Sequence, residues 1–281
     1  MNYYSFIAGL PDITPDNAKD APQMDVLLEE LEELLSDSDR RLLKLLRMRH
    51  DNENLTAFLA DKTAEMNPLG NLTKEDWEEV VDTMENGTEF MEEHEPRIVP
   101  YIAEYYHRTH DEKQGGEETA YKEELLATLY YDYGMKCRNK FVSRWFEFSL
   151  NLNNILTAYT CRKHGWDIKS ATVGHNEVAE AIRKNPNARD FGLKGVFDDY
   201  DEIASIAEMT DLMERERRID AIKWQWIDEQ TFFEHFSIEK VLSFWLKCEM
   251  VHRWDGLDTE KGKSAFKRLL QEMKKGIEFA G

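Results

Sequence analysis

The sequence predicts an all-α protein, and three observations support this fold class. Long segments repeat apolar residues at helical spacing, and the clearest of them runs from Met24 to Leu35. Glycine and proline are scarce, at 14 and 7 residues in a chain of 281, so few positions suit the tight turns that join β-strands. Residues that favour helices, above all Glu, Lys, Leu and Met, are frequent. We therefore expect many helices and no sheet.

Four helices are predicted in the first part of the chain, after a short apolar opening that is compatible with a strand or a helical turn. Ser38 is a good N-cap for the second helix, and Thr73 with Asp76 forms a weaker cap for the third. Pro100 opens the fourth helix. The four helices are expected at about residues 24–35, 38–62, 73–86 and 100–110.

The middle of the chain has the longest helical pattern. Residues 110–117, which include two adjacent glycines, are the clearest linker. From residue 118 to 164 the pattern is helical, with Gly134 as the expected bend, and Gly165 suits the left-handed position that ends a helix. Shorter helices alternate with loops in the remainder. They are expected at about residues 176–184, 198–209, 212–229, 237–254 and 258–270.

The sequence contains an internal repeat, in which residues 40–62 align with residues 140–162 without a gap. Each copy has two basic residues and an apolar pair, then Asp or Asn, then a matched Asn three positions later, and a basic residue at the end. Two amphipathic helices always align somewhere, but periodicity alone does not supply the matched polar residues. The matched pairs are Asp51 with Asn151, Asn54 with Asn154, Leu55 with Ile155, and Lys62 with Arg162.

The asparagines of the second copy lie on the packed face of a helix, since Asn151, Asn154 and Ile155 share one face. A plain core helix would carry Leu or Val there. Buried polar groups must be hydrogen-bonded, so we expect a partner helix to present complementary groups. The repeat is therefore interpreted as a duplicated helical lobe whose polar residues brace helices.

The second copy also resembles a known signature. The run Asn151-x2-Asn154-Ile155-x-Thr157-x4-Arg162 is similar to the Asp-x2-Asn-Leu-x-Thr-x2-Arg helix in the central-stalk socket protein of rotary V/A-type ATPases, the C-type (in eukaryotes d-type) component. Residues 238–253 are similar to that family's closing helix, in which Glu249 takes the place of a Glu that follows an aromatic residue. The opening YYSFIAGLPDI resembles a bacterial family of unassigned function whose genes tend to lie beside those of rotary-ATPase subunits.

This resemblance implies a funnel-like arrangement of two or three related helical lobes that serves as a socket between the rotor axle and the membrane ring. The lobes are expected at residues 1–112, 113–190 and 191–281. The residues that the resemblance and the repeat mark as structural or interface positions are Asp51, Asn54, Asn151, Asn154, Arg162 and Glu249.

The charge of the chain restricts its partners. The net charge is -20, and such a field repels phosphate backbones and anionic lipid. No apolar run reaches the roughly 18 residues that a membrane-spanning helix needs, and the opening lacks the pattern of a signal peptide. The three cysteines are scattered and are expected to be reduced thiols. We therefore expect a cytoplasmic protein that reaches the membrane only through a complex.

One group of Lys and Arg residues is unusual in this acidic sequence. Its residues either pair with nearby glutamates or form a docking patch for an acidic partner surface. The patch consists of Lys136, Arg138, Lys140, Arg144 and Lys163.

Two Glu-x2-His pairs allow a different interpretation, namely a carboxylate-bridged metal site of the kind found in helical bundles. The pairs are Glu104 with His107 and Glu249 with His252, and each places both side chains on one helix face. In a chain this rich in glutamate such a spacing also arises by chance. We therefore expect neither a metal nor another cofactor.

Together these observations predict a non-catalytic central-stalk subunit of a V/A-type ATPase, with the central axle and the membrane rotor ring as partners. No enzymatic activity, nucleic-acid binding or direct membrane insertion is expected. The two alternatives are a helical metal enzyme that uses the Glu and His pairs, and a generic helical scaffold for an unrelated partner.

Overall fold

The structure is a computed structural model that describes residues 3–15, 20–86, 99–110 and 122–258. Within these residues the chain forms twelve helices and no β-strand, which confirms the all-α prediction. The helices are α1 (Tyr4–Gly9), α2 (Met24–Leu34), α3 (Asp37–Ala60), α4 (Lys74–Asn86), α5 (Pro100–His110), α6 (Lys122–Gly134), α7 (Lys140–His164), α8 (Ile168–Ala171), α9 (Glu177–Lys184), α10 (Tyr200–Ala207), α11 (Leu212–Gln230) and α12 (Ile238–Asp258).

Most of these helices match the sequence prediction, and the differences are local. The apolar opening forms a helix, and a short helix, α8, interrupts the loop after α7. The predicted bend at Gly134 is the end of α6, and five residues separate it from α7. The linker predicted after residue 110 and the helix predicted after residue 258 lie outside the described residues.

The chain divides into two compact units. Unit 1 combines both ends of the chain, residues 1–40 and 216–281, and unit 2 is the continuous segment 41–215. Helices α3 and α11 have residues in both units. The finer division into three lobes, at 1–112, 113–190 and 191–281, stays a prediction.

One apolar core of unit 2 is built by α3, α4, α5 and the start of α6, and it is rich in aromatic side chains. Leu55 and Phe58 of α3, with exposed fractions of 0% and 1%, share this core with Trp77 of α4 and Tyr101 of α5. Burying one such large side chain contributes about 1.5–3 kcal/mol of transfer free energy. This core fixes the face that α3 turns inward, which is the face that carries Asp51 and Asn54.

The other half of unit 2 is organised around α7, which packs against α6, α8, α9 and α10. Asn139 caps its start by accepting a hydrogen bond from the N–H of Val142 at 3.1 Å. Gly165, with a φ of 72°, ends it in the left-handed conformation, and the N–H of Trp166 closes the last turn on the carbonyl of Cys161 at 2.9 Å. Both ends of α7 are thus defined by local sequence, and the prediction for Gly165 is confirmed.

In unit 1, α12 packs against α2. The core contains Leu27 and Leu31 of α2 and Leu242 and Trp245 of α12, each exposed by 1% or less. None of the described helices is both long enough and apolar enough to cross a membrane.

Candidate functional site

The polar pair of α7 ties this helix to the loop that follows it. Asn154, which is 1% exposed, donates from Nδ2 to the carbonyl of Val173 at 2.8 Å and accepts from the N–H of Val173 at 3.0 Å. One turn earlier, Oδ1 of Asn151 accepts from Nδ2 of Asn176 at 2.6 Å. Asn176 also caps α9 through the N–H of Ala179. We call Asn151, Asn154, Val173 and Asn176 the second brace.

The polar pair of α3 makes an equivalent set of contacts, which we call the first brace. Asn54 donates from Nδ2 to the carbonyl of Asn67 at 3.1 Å and accepts from the N–H of Asn67 at 2.6 Å. Asp51 accepts from the N–H groups of Asn71 and Leu72, and from Nδ2 of Asn71 at 2.5 Å. Asn71 and Leu72 come just before α4, as Asn176 comes just before α9.

The two copies of the repeat therefore share a bonding pattern as well as a sequence pattern. In each, the matched Asn makes a two-way hydrogen bond to the backbone of one residue in a later loop. The polar residue three positions earlier binds an Asn that comes just before a later helix, α4 in the first copy and α9 in the second. The prediction that a partner helix supplies the complementary groups is wrong. Loop backbone groups take that place because they lack the partners that a helix provides internally.

Gly70 shows how closely the loop approaches α3 in the first brace. A Cβ atom at this position would lie 2.6 Å from Nδ2 of Asn54 and 2.9 Å from Oδ1 of Asp51. Any side chain would therefore force the loop away from both polar residues. A glycine at this point is what allows the brace to form.

Asp51 is an ionisable group within the first brace, and it is 2% exposed. Burial raises the pKa of its carboxyl above the ordinary value of 3.8, although its hydrogen bonds from Asn71 and Leu72 and the charge of Arg47 act in the opposite direction. Arg47 itself donates to the carbonyls of Leu69 and Gly70, at 3.0 and 2.7 Å. The second copy has an uncharged Asn151 at the equivalent position.

We predict that Asp51→Asn makes the protein relatively more stable than the wild type as the pH rises. A raised pKa in the folded state means that the stabilisation from the protonated carboxyl is complete below 3.8 and is lost as the pH rises through the raised value. The side chain of asparagine does not titrate, so its contribution to the free energy of unfolding stays constant over that pH range. The measurement is the free energy of unfolding in urea for both proteins between about pH 4 and pH 7.5.

The control for this prediction is Asp61→Asn, because the carboxylate of the exposed Asp61 accepts hydrogen bonds from Thr63 that lower its pKa. Because the pKa of Asp61 is lowered, its stabilising effect is complete above the ordinary value of 3.8 and is lost only as the pH falls below it. From about pH 5 to pH 7.5 the stability of this variant should therefore differ from that of the wild type by a constant amount. Parallel pH profiles for wild type and Asp51→Asn would show that Asp51 does not carry the expected burial cost.

Arg162, at the end of the second copy, holds the loop after α9. Its guanidinium donates to the carbonyls of Pro186, Ala188 and Arg189 at 3.1, 2.5 and 2.8 Å. Its carbon Cζ lies 3.8 Å from the centre of the ring of Phe191, a fully buried residue whose φ is 52°. Arg162 is therefore a structural residue of unit 2. Its predicted counterpart Lys62 lies beyond the end of α3 and is exposed, so the basic match does not extend to the contacts.

We predict that Arg162→Lys lowers the free energy of unfolding by about 2 kcal/mol, since hydrogen bonds to charged groups contribute about 1.5–3 kcal/mol and an ammonium cannot reproduce the planar fork. The measurement is urea denaturation followed by circular dichroism. The neighbouring exposed Lys163→Arg is the control, with an expected change within about 0.5 kcal/mol. Equal midpoints for the two variants would rule out this role for Arg162.

Glu249 and His252, the closing-helix positions, lie in unit 1. Glu249 is 6% exposed. Nε2 of His252 lies 2.7 Å from the carbonyl oxygen of Pro22, which comes just before α2, so the histidine donates this bond. This contact has the form of the two braces, because a polar residue of a long helix binds the backbone ahead of another helix. The sequence did carry a signal, as Glu249-x2-His252 has the spacing of Asp51-x2-Asn54.

The side chains of the other Glu-x2-His pair, Glu104 and His107, are exposed. Glu104 lies 3.5 Å from Arg108 in an ion pair, and the ring of His107 lies 6.3 Å from that of Tyr106. Among the residues that the structure describes, no group of three or more His, Cys, Asp or Glu side chains is placed to hold a metal ion.

The residues of the predicted docking patch are all exposed, but they do not form one cluster. Lys136 and Arg138 lie in the turn before α7, and Lys140 and Arg144 lie on its first turns. Lys163 lies at the other end of α7, about 35 Å away at a rise of 1.5 Å per residue. The patch is therefore reduced to its first four residues.

A groove of about 610 Å³ in unit 2 adjoins this basic turn. Its lining includes apolar side chains of α3 and α5, such as Leu45, Met48 and Ile102. Arg41, Lys44 and Lys136 also line it, together with the carboxylate of Asp51, so the groove combines an apolar surface with more cations than carboxylates. Such a recess suits an apolar segment that carries carboxylates.

Fold and contacts together define an all-helical protein in which two related long helices are each tied to the loop that follows. Residues 1–277 match a protein family described as DUF2764, proteins of unknown function, and the chain belongs to this family. No curated protein and no solved structure matches the chain.

Proposed function

We propose that the protein is a non-catalytic central-stalk subunit of a V/A-type ATPase, a socket that couples the rotor axle to the membrane ring for ion transport. The observation that carries this proposal is the repeated brace. Asn54 and Asn154 bind one backbone unit of the following loop in the same two-way manner. Their sequence context is the one that resembles the signature helix of the rotary-ATPase socket protein.

The braces suit a part that transmits torque. Helices α3 and α7 are 24 and 25 residues long, and buried polar side chains of each make several hydrogen bonds to a later loop. Close-packed interiors transmit strain with little deformation. Two-way polar contacts add a defined register, because a shifted helix would leave the loop's N–H and carbonyl groups without partners.

The groove and the adjoining basic residues support contact with an acidic partner. The chain has a net charge of -20, whereas this recess is lined by three cations, Arg41, Lys44 and Lys136, and one carboxylate, Asp51. Complementary charge steers association and fixes orientation. We assign this surface to the foot of the axle.

The test of the proposal is to purify the membrane ATPase from the native cells and to identify its subunits by mass spectrometry. We expect this chain to be present in a fixed ratio to the axle proteins. An intact, active complex that lacks the chain would overturn the proposal.

A second experiment tests the assigned surface. The double variant Lys136→Glu/Lys140→Glu should copurify with the axle proteins less than the wild type does, and raised salt should weaken the wild-type association. Lys163→Glu, at the other end of α7, is the matched control and should copurify normally. Equal recovery of all three proteins would remove this surface from the proposal.

A further inference from the structure

The turn between α11 and α12 carries an exposed aromatic surface. Phe232 and Phe233 are 70% and 84% exposed, and Phe236 in the same turn is 41% exposed. The ring of Tyr4, 56% exposed, lies 4.7 Å from that of Phe236. We call residues 231–237 the aromatic turn. Single exposed apolar residues are common, but a cluster of large ones marks an interaction site.

The exposure of these rings follows from a defined backbone. Thr231 is fully buried, and its hydroxyl donates to the carbonyl of Ile227 at 2.8 Å. The N–H of Glu234 donates to the carbonyl of Thr231 at 3.1 Å, which closes the turn. The N–H of Tyr3 donates to the carbonyl of Phe236, also at 3.1 Å. The turn is thus held at both ends while its phenylalanines face outward.

The rings of Phe232 and Phe233 pack on each other at 4.9 Å and 90°. They form a paired apolar surface of the kind that anchors protein interfaces, where aromatic residues are enriched. Such a pair needs a partner with an apolar recess.

The acidic residues around the aromatic turn indicate a partner surface that carries cations. Residues 228–240 contain four carboxylates, those of Asp228, Glu229, Glu234 and Glu239, and one cation, Lys240, and His235 is the remaining titratable group. Asp228 pairs with Lys247 of α12 at 2.5 Å, and Glu229 accepts from Gln225 at 2.9 Å. An apolar surface set among carboxylates is complementary to an apolar surface set among cations.

Cytoplasmic loops of membrane proteins have this character, because they carry an excess of Lys and Arg beside apolar membrane segments. We propose that the aromatic turn binds the cytoplasmic loops of the membrane rotor ring. This inference rests on the proposed function and assigns the turn to the ring and the groove of unit 2 to the axle.

The experiment places p-benzoylphenylalanine at position 233 of the full chain in the native cells. After illumination and purification of the ATPase, we expect a crosslink to the ring protein. The same probe at Trp166, an aromatic residue of unit 2 that is 41% exposed, is the control and should give no ring crosslink. A crosslink from position 233 to the axle, or none to the ring although the chain is in the complex, would overturn the inference.

A double variant gives a second measurement. Phe232→Ser/Phe233→Ser should lower the amount of chain recovered with the ring by about tenfold or more, as expected for interface anchors. Its melting temperature should stay close to that of the wild type, because both side chains are exposed. Full recovery of the variant would contradict the inference alone, whereas absence of the wild-type chain from the complex would contradict the proposed function.

Discussion

Replacing Asn154 by leucine is expected to lower the free energy of unfolding by about 2–6 kcal/mol, because two backbone groups of Val173 lose their partner at about 1–3 kcal/mol each. Leucine fills the space but can neither donate nor accept a hydrogen bond. The measurement is urea denaturation followed by circular dichroism, with amide hydrogen exchange at Val173 as a local probe. Exchange at that amide should become faster.

The adjacent Asn153→Leu is the matched control, since it is the same substitution in the same helix. Asn153 is exposed and donates to the hydroxyl of Tyr131 at 2.7 Å, so the loss of this bond should cost about 0.5–1.5 kcal/mol. Asn54→Leu should behave like Asn154→Leu, because Asn54 binds Asn67 in the same way. If Asn153→Leu were as harmful as Asn154→Leu, the brace would not be the source of the loss.

Gly134→Ala is expected to cost about 3 kcal/mol or more, since overpacking a filled core costs about 1–3 kcal/mol and occasionally more. A Cβ atom at Gly134 would overlap the ring of Phe146, which is 1% exposed. That ring cannot easily move, because Tyr130 and Tyr131 pack on it at centroid distances of 4.9 and 6.3 Å. The change in thermal midpoint measures the effect.

Two further variants test the physical cause at Gly134. Phe146→Leu combined with Gly134→Ala should recover part of the loss, because the smaller side chain leaves room for the Cβ atom. Gly9→Ala, in α1, has no atom within 4 Å of the new Cβ and should change stability by less than about 1 kcal/mol. If the double variant were less stable than Gly134→Ala alone, the clash would not be the cause.

Two features with a local cause were predicted correctly from the sequence, whereas the predicted cap at Ser38 is wrong because α3 begins at Asp37 and Ser36 accepts from the N–H of Asp39 at 3.3 Å. The cap formed by Thr73 and Asp76 is confirmed, with the N–H of each bonded to the side chain of the other at 3.0 and 3.2 Å. The end of α7 at Gly165 is confirmed as well. In both cases the bonded groups lie within a few residues of each other, so the signal and its partner occupy one short segment of sequence.

The partners of the braces could not be predicted in the same way. Repetition marked Asn54 and Asn154 as unusual, but their partners lie 13 and 19 residues later in loops of different length. The partner in each case is the backbone, which every residue carries, so no side chain identifies it. Only the path of the loop decides which residue meets the asparagine.

The hydrogen-bond partner of His252 was also impossible to predict from the sequence. The sequence offered Glu249 and His252 as an alternative metal pair, whereas the structure gives His252 a bond to the carbonyl of Pro22, 230 residues earlier. The spacing of Glu249 and His252 repeats that of Asp51 and Asn54, but it does not identify a backbone acceptor at that distance along the chain. The exposed rings of the aromatic turn were missed for a related reason, since phenylalanines in a short turn look the same whether they face the core or the solvent.

The composition of unit 1 has a consequence for the order of folding. Unit 2 is one continuous segment and is complete once residue 215 has been synthesised, whereas unit 1 needs both residues 1–40 and residues 216 onward. During synthesis α2 therefore emerges long before α12, the helix against which it packs in the folded protein. Until then its buried face, with Leu27 and Leu31, has no native cover from α12. We expect the nascent chain to expose this apolar face to chaperones after unit 2 has already folded.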